Sequence, residues 1–196
     1  PAARRSPQAR PALDGFSGDA IVLYGDTPFI SEETLAAMQA ARQTHDVVVL
    51  GFEPADPGRY GRLVVEGSAL MRIVEFKDAG PAERAITLCN SGVVMAPAPL
   101  LFDLIAEVGN DNANGEYYLT DVVGLARGRG LKAVVVKAGA DEVLGVNSRV
   151  DLAAAEHARR ELDRPLQAAE FLLRDARAPL VDLQRDERLL CRQLAE

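Results

Sequence analysis

The sequence has few of the residues that build disulfide frameworks and metal centres. Among its 196 residues are two cysteines, Cys89 and Cys191, and two histidines, His45 and His157. The cysteines match no metal-ligand spacing and are too few for a disulfide framework, so we expect two free thiols. The histidines lie far apart in the sequence, which argues against a histidine-based metal site.

Long apolar runs and large basic clusters are also missing. No apolar run approaches the roughly 18 residues that span a membrane. The first ten residues are polar and contain arginine, so we expect neither a secretory signal nor a membrane partner. The formal net charge is -7, and basic residues cluster no further than pairs such as Arg4-Arg5 and Arg159-Arg160, which argues against a nucleic-acid partner. These features predict a cytoplasmic protein.

What the sequence does contain is material for a sizeable core, because 48% of its residues are hydrophobic. Short apolar runs alternate with helical patterns. The runs predict strands at 20–24, 46–51, 88–95 and 131–137 and a β-hairpin at 61–67 and 70–76. Ser31 is a predicted helix N-cap, and the helices are expected at 31–45, 98–108 and towards the end of 117–126. This alternation indicates an α/β layer fold with a largely parallel sheet.

Two oxygen-bearing side chains follow predicted strands. Asp26 comes directly after the buried run that ends at Tyr24-Gly25, where ligands bind in open α/β sheets. A carboxylate there suits Mg²⁺, although Asp26 can equally begin a turn before Pro28. Asn147 lies at a strand–helix junction, where an amide oxygen completes a magnesium shell or caps a helix.

A polar segment with two tyrosines occupies residues 112–121. Tyrosine offers a flat apolar face and a hydroxyl, which suits a sugar, but the same segment can simply cap a helix. The tripeptide Asn90-Ser91-Gly92 lies within a predicted strand, where glycine often marks a close backbone approach. The segments at 60–62 and 75–77 border the predicted hairpin, and each alone is most simply structural.

Taken in order, these segments resemble one known family. They are Leu-Tyr-Gly-Asp-Thr-Pro at 23–28, Tyr-Gly-Arg at 60–62, Ile-Val-Glu-Phe-Lys-Asp at 73–78, Asn-Ser-Gly at 90–92, Asn-Gly-Glu-Tyr-Tyr-Leu-Thr-Asp at 114–121 and Gly-Val-Asn-Ser-Arg at 145–149. Over about residues 12–156 the chain is similar to the uridyltransferase domain of the bacterial bifunctional N-acetylglucosamine-1-phosphate uridyltransferase/glucosamine-1-phosphate acetyltransferases. The resemblance implies a Rossmann-like nucleotidyltransferase fold, a mixed sheet with helices on both faces.

The resemblance also implies a reaction and its residues. A sugar-1-phosphate oxygen attacks the α-phosphorus of UTP, giving UDP-N-acetylglucosamine, a precursor of peptidoglycan and lipopolysaccharide, and pyrophosphate. By resemblance, Asp26 and Asn147 match the catalytic Mg²⁺ ligands. Substrate contacts are implied for the nucleotide sugar at Tyr24, Gly25 and Asp26, for N-acetylglucosamine at Gly61, Glu75 and Asn90, and for the same pocket at Tyr118 and Thr120.

Several parts of that family are not found in this sequence. Neither Gly15-x-x-Gly18 nor the glycines at 124–130 form a credible phosphate-binding loop, because one follows no strand and the other lies where a helix should end. We therefore expect the family's first strand to be missing and catalysis to be impaired. No hexapeptide repeat, and hence no trimerising β-helix, follows Glu156, so the oligomeric state stays open.

The two ends of the chain carry an expectation of their own. Residues 157–196 are predicted to form a helical tail, and both flanks are interpreted as shifted reading frames or parts of a chimera.

Two other functions remain open. One is a non-catalytic nucleotide-sugar-binding fragment, and the other is a nucleotidyltransferase for another base or sugar.

Overall fold

The computed structural model describes residues 6–24, 27, 29–143, 180–181 and 191–192. The strands are β1 (Asp19–Val22), β2 (Val47–Phe52), β3 (Arg62–Glu66), β4 (Ala69–Val74), β5 (Cys89–Pro97), β6 (Ala133–Lys137), β7 (Leu180–Val181) and β8 (Cys191–Arg192). A 3₁₀ helix at Ser6–Leu13 precedes them, and the α-helices are α1 (Glu32–Arg42), α2 (Pro81–Arg84), α3 (Ala98–Glu107) and α4 (Asp121–Gly128).

Strand β5 organises the main sheet, whose order is β4-β3-β5-β2-β6, with β1 also paired to β5. It runs antiparallel to β1, β2 and β3, and β3 runs antiparallel to β4. The sheet is therefore mixed, but the expectation that it is largely parallel is wrong: among the described strands only β2 and β6 are parallel. A strand buried on both faces has the same apolar pattern in either direction, so the pattern did not reveal the reversal.

Helices cover both faces of this sheet, as the resemblance implied. Side chains alternate along β2, so Val47 and Val49 join the core beneath α3 and α4, whereas Val48 and Leu50 join the core beneath α1. All six residues of β2 are buried, because each face of the strand is covered. Burying a side chain of this size is worth about 2 kcal/mol, so β2 contributes to both cores at once.

Local signals account for the ends of several elements. Ser31 caps α1, and its hydroxyl accepts a hydrogen bond from the Thr34 amide at 3.1 Å. The predicted hairpin is confirmed as β3 and β4, with Gly67 at φ +60° in the turn, a conformation that glycine adopts without steric cost. The strand predicted at 131–137 is confirmed as β6, and the helix predicted at 98–108 as α3.

Outside the main sheet, the structure describes a small antiparallel pair. Leu180 lies opposite Arg192, and Val181 lies opposite Cys191. The predicted boundary between the domains at 12–156 and 157–196 lies outside the described residues and stays a prediction. In the main sheet, no described strand pairs with the edge of β1 that faces away from β5. Within the described part of the chain, no helix has the length and apolarity needed to cross a bilayer.

Candidate functional site

Strand β5 has a bulge at Ser91, Gly92 and Val93, directly after Asn90. Val49 of β2 pairs with Val94, but Gly51 pairs with Asn90, so one residue of β2 faces three of β5. Gly92 has φ +90°, a backbone conformation that other residues adopt only with strain. The Ser91 hydroxyl donates to the Leu50 carbonyl at 2.7 Å, and the Gly92 amide donates to Asn90 Oδ1 at 3.0 Å. The bulge is thus held by its own side chains.

Tyr24 rests on this bulge. A Cβ atom added at Gly92 would lie 2.5 Å from Tyr24 Cε2, so the ring occupies space that a side chain at position 92 would need. The Thr27 amide and hydroxyl both donate to the Tyr24 carbonyl, at 3.2 and 3.0 Å, which closes a turn after β1. The close approach predicted from the glycine is therefore confirmed, and its partner is Tyr24.

Gly61, Glu75 and Asn90 meet at the ends of three adjacent strands. The Asn90 backbone amide donates to the Gly61 carbonyl at 2.9 Å. A Cβ atom added at Gly61 would lie 3.5 Å from Glu75 Oε2 and 3.6 Å from Asn90 Cβ. The structure thus brings together three residues that are separated by up to 29 positions in the sequence. Their predicted role in sugar binding is a proposal that this geometry supports.

A buried arginine supports Gly61 from below. Arg62 is only 2% exposed, and its guanidinium donates to the carbonyls of Pro57, Gly58 and Tyr60. It also lies 5.7 Å from the centre of the Phe76 ring, one residue beyond Glu75. In the sequence, Arg62 is visible only as part of the Tyr-Gly-Arg motif at 60–62. Its guanidinium contacts both the loop before β3 and the Phe76 ring after β4, so it connects these two segments.

Thr120 completes the cluster from the start of α4. Its hydroxyl donates to Glu75 Oε1 at 3.1 Å. Burial raises the pKa of Glu75 above its ordinary value of 4.5, the Thr120 hydrogen bond opposes this, and the carboxylates of Asp121 and Asp78 raise it further. Burial raises the pKa of the Tyr118 hydroxyl, the hydrogen bond from Asn114 opposes this, and the carboxylates of Asp78 and Glu75 raise it further.

Three further residues around this cluster were not predicted from the sequence. Lys77 Nζ donates to Asn114 Oδ1 at 2.7 Å, and Asp78 Oδ1 accepts the Ala113 amide at 2.9 Å. Asn114 in turn donates to the Tyr118 hydroxyl. The only signal was their membership of the motifs at 73–78 and 114–121, because nothing in sequence order indicates that these two segments touch.

Three predicted site residues, Gly25, Asp26 and Asn147, lie outside the described residues. Their donor chemistry, a carboxylate and an amide oxygen, is the kind that Mg²⁺ prefers. A described residue that precedes Asn147 contacts described residues that follow Asp26: Glu142 Oε2 accepts the Ser31 amide at 3.0 Å and the Thr34 hydroxyl at 2.7 Å. This contact links the chain five residues after Asp26 to the chain five residues before Asn147. The magnesium site itself stays a prediction.

Glu142 differs from Glu75 in its electrostatics. Burial raises the pKa of Glu142, but hydrogen bonds from the Ser31 amide and from the Thr34 and Ser31 hydroxyls together bring it below the ordinary value of 4.5. The residue is therefore held as a carboxylate at neutral pH. It was not among the predicted site residues, because nothing in the sequence shows that it lies against the N-terminus of α1.

Solved structures define the fold class. The complex of a UDP-glucose pyrophosphorylase with UDP-glucose matches with a TM-score of 0.59 at 19% identity, covering 80% of this chain and 60% of that one. An inositol-1-phosphate CTP transferase from T. maritima matches with a TM-score of 0.53 at 15% identity, covering 78% of this chain and 58% of that one. The fold is the Rossmann-like fold of the nucleotide-diphospho-sugar pyrophosphorylases.

The comparison of sequences is more specific than the comparison of folds. Proteins named bifunctional protein GlmU match from Ruegeria sp., at 61% identity over 79% of this chain and 36% of the relative, and from Maricaulis maris, at 67% over 76% and 34%. Another from Cereibacter sphaeroides is 61% identical over 83% of this chain and 35% of its own length. No family model matches the chain. The resemblance is confirmed, and the chain spans about a third of the length of these relatives.

Proposed function

We propose that this chain carries the sugar side of a site for uridylyl transfer from UTP to N-acetylglucosamine-1-phosphate. The observation that carries the proposal is the meeting of Gly61, Glu75, Asn90 and Thr120 at one end of the sheet. The similarity to bifunctional protein GlmU at 61–67% identity supports the substrate pair. A protein of the same fold is complexed with UDP-glucose, which supports a UDP-sugar as product.

The chemical task of these residues is to bind and orient the sugar phosphate. Phosphoryl transfer needs little covalent help from a protein but does need the nucleophile aligned with the leaving group. Glu75 supplies acceptor oxygens for sugar hydroxyl groups. The hydrogen bond from Thr120 orients the Glu75 carboxylate. The backbone at Gly61 is bare of a side chain, which leaves room for a ligand to approach Glu75 and Asn90.

The proposed function includes Mg²⁺, which Asp26 and Asn147 would bind. When bound, the ion would offset the negative charge on the phosphoryl oxygens. The contact of Glu142 with Ser31 and Thr34 supports the pairing of the two predicted ligands, because it joins the segments in which they lie.

The test is pyrophosphate release by the purified chain with UTP, N-acetylglucosamine-1-phosphate and Mg²⁺, compared with an Asp26→Ala variant. Release that disappears in the variant supports uridylyl transfer and the metal role of Asp26. Adding CTP, GTP or dTTP as competitors identifies the base: displacement of UTP by one of them would favour a nucleotidyltransferase for another nucleotide.

A second candidate is binding of a nucleotide sugar without turnover. It is favoured by the contacts among Gly61, Glu75, Asn90 and Thr120, because these residues can bind a sugar without taking part in the transfer step. The discriminating result is saturable binding of UDP-N-acetylglucosamine by a folded chain that releases no pyrophosphate. A chain that shows neither binding nor release contradicts both candidates.

A further inference from the structure

The turn after β4 is rigidly connected to Glu75. The amides of Asp78 and Ala79 both donate to the Glu75 carbonyl at 3.0 Å. The Phe76 ring between them is covered by the Arg84 guanidinium, 4.6 Å from the ring centre. Lys77 and Asp78 therefore project from a turn whose position relative to Glu75 is set by backbone hydrogen bonds.

The loop at residues 112–116 has a compact shape of its own. Asn112 Oδ1 accepts the amides of Asn114 and Glu116, each at 3.1 Å. Gly115 takes φ +62° to close the turn, and its amide donates to the Asn112 carbonyl at 3.0 Å. The residues at 113–116 are exposed, so packing against a core does not determine where the loop lies.

Two side chains join this loop to the turn after β4. Asp78 Oδ1 accepts the Ala113 amide at 2.9 Å, and Lys77 Nζ donates to Asn114 Oδ1 at 2.7 Å. Asn114 extends this network to Tyr118, because its side-chain Nδ2 donates to the Tyr118 hydroxyl. Two residues beyond Tyr118, Thr120 binds the Glu75 carboxylate at 3.1 Å. The segment at 113–120 is thus bound at its start by Lys77 and Asp78 and at its end by Glu75.

We propose that Asp78 and Lys77 are positioning residues that dock the loop at 112–116 and so hold Tyr118 and Thr120 against the sugar-side pocket. This inference rests on the proposed function, since it assigns the loop to the sugar ligand of that site. Neither residue needs to touch the ligand. Asp78 acts through the Ala113 backbone, and Lys77 acts through Asn114.

The experiment measures binding of UDP-N-acetylglucosamine by titration calorimetry, using the whole chain. Asp78→Ala removes the acceptor for Ala113, and we expect about fivefold weaker binding, the cost of one exposed hydrogen bond to a charged group. Asp78→Asn keeps an oxygen at the same position and should bind within about twofold of the parent chain. Lys77→Met should have a smaller effect than Asp78→Ala in the same direction.

A matched control is available at the other end of the sheet. Asp46 Oδ2 also accepts a backbone amide from a distant segment, that of Lys132 at 2.7 Å, but it precedes β2 at the end away from Gly51 and Asn90. Asp46→Ala should therefore bind like the parent. Thermal melts of every variant verify that each is folded.

Amide hydrogen exchange over residues 113–118, measured without ligand, separates this proposal from the proposed function. We expect faster exchange in Asp78→Ala and parental exchange in Asp78→Asn. If the parent binds no UDP-N-acetylglucosamine, the proposed function fails, and unchanged exchange in Asp78→Ala then overturns the docking as well. If the parent does bind, the proposal is overturned by parental affinity in Asp78→Ala, or by equal weakening in Asp78→Asn.

Discussion

Two half-buried glutamates, Glu75 and Glu142, show how one residue type serves opposite purposes in this molecule. Glu142 receives hydrogen bonds from the Ser31 amide and the Thr34 hydroxyl, and its pKa lies below the ordinary value. Glu75 receives one from Thr120, has the carboxylates of Asp78 and Asp121 nearby, and its pKa lies above the ordinary value.

The difference separates a structural carboxylate from one suited to binding. Donors aimed at a carboxylate stabilise its charge, so Glu142 is already satisfied by the protein and fastens the N-terminus of α1. Burial and like charges leave Glu75 poorly stabilised in its ionised form. A ligand that donates hydroxyl groups to Glu75 would supply the hydrogen bonds that the protein does not, which agrees with the proposed sugar site.

The largest predicted effect tests the contact between Tyr24 and Gly92. Gly92→Ala should lower the free energy of unfolding by about 2–4 kcal/mol, because a Cβ at φ +90° is strained and would meet Tyr24 at 2.5 Å. Gly67→Ala is the matched control: it has φ +60° but nothing within 4 Å, so about 1 kcal/mol of strain is expected. Urea unfolding measures both. Equal losses would show that Tyr24 does not rest on Gly92.

Removing the structural carboxylate should have the next largest effect. Glu142→Ala is expected to cost about 2 kcal/mol at pH 7, because the Ser31 amide and Thr34 hydroxyl, both in buried residues, lose an acceptor. Since the pKa of Glu142 is lowered in the folded state, its contribution is present above pH 4.5 and is lost as the pH falls below that value. Urea unfolding of the parent and Glu142→Gln between pH 7 and pH 3 measures this.

Glu142→Gln keeps one oxygen acceptor for the Ser31 amide and the Thr34 hydroxyl but carries no charge, so it should lack this part of the acid sensitivity. A stability curve that falls equally steeply in both proteins below pH 4.5 would contradict the assignment of Glu142 as a stabilising carboxylate.

The smallest predicted effect has the opposite sign. Glu75→Gln should raise the free energy of unfolding at pH 7 by up to about 1 kcal/mol, because the raised pKa of Glu75 means that its charge opposes folding. The advantage should shrink as the pH falls through the raised pKa towards 4.5, where the parent's carboxyl becomes protonated. Thermal melts across this pH range measure it, and calorimetry should show weaker binding of UDP-N-acetylglucosamine. A variant that is less stable at pH 7 would contradict this account.

Local patterns predicted much of the fold and part of the site. Ser31 was identified as an N-cap from its position before two acidic residues, and the hairpin was identified from two apolar runs around Gly67. The close approach at Gly92 was expected because glycine lay inside a strand. Each of these depends on neighbours in sequence. The direction of β5 was predicted wrongly, because an apolar run has the same pattern in a parallel and in an antiparallel strand.

The sequence alone determined which elements form and which chemical groups are available, because propensity, capping and alternation act over a few residues. Only the tertiary structure decided that Glu142 meets Ser31 across 111 residues, that Asp78 meets Ala113 across 35, and that Glu75 and Glu142 therefore have opposite pKa shifts. A carboxylate's free energy depends on its burial and on the donors and charges around it. In this fold those surroundings come largely from segments distant in the chain.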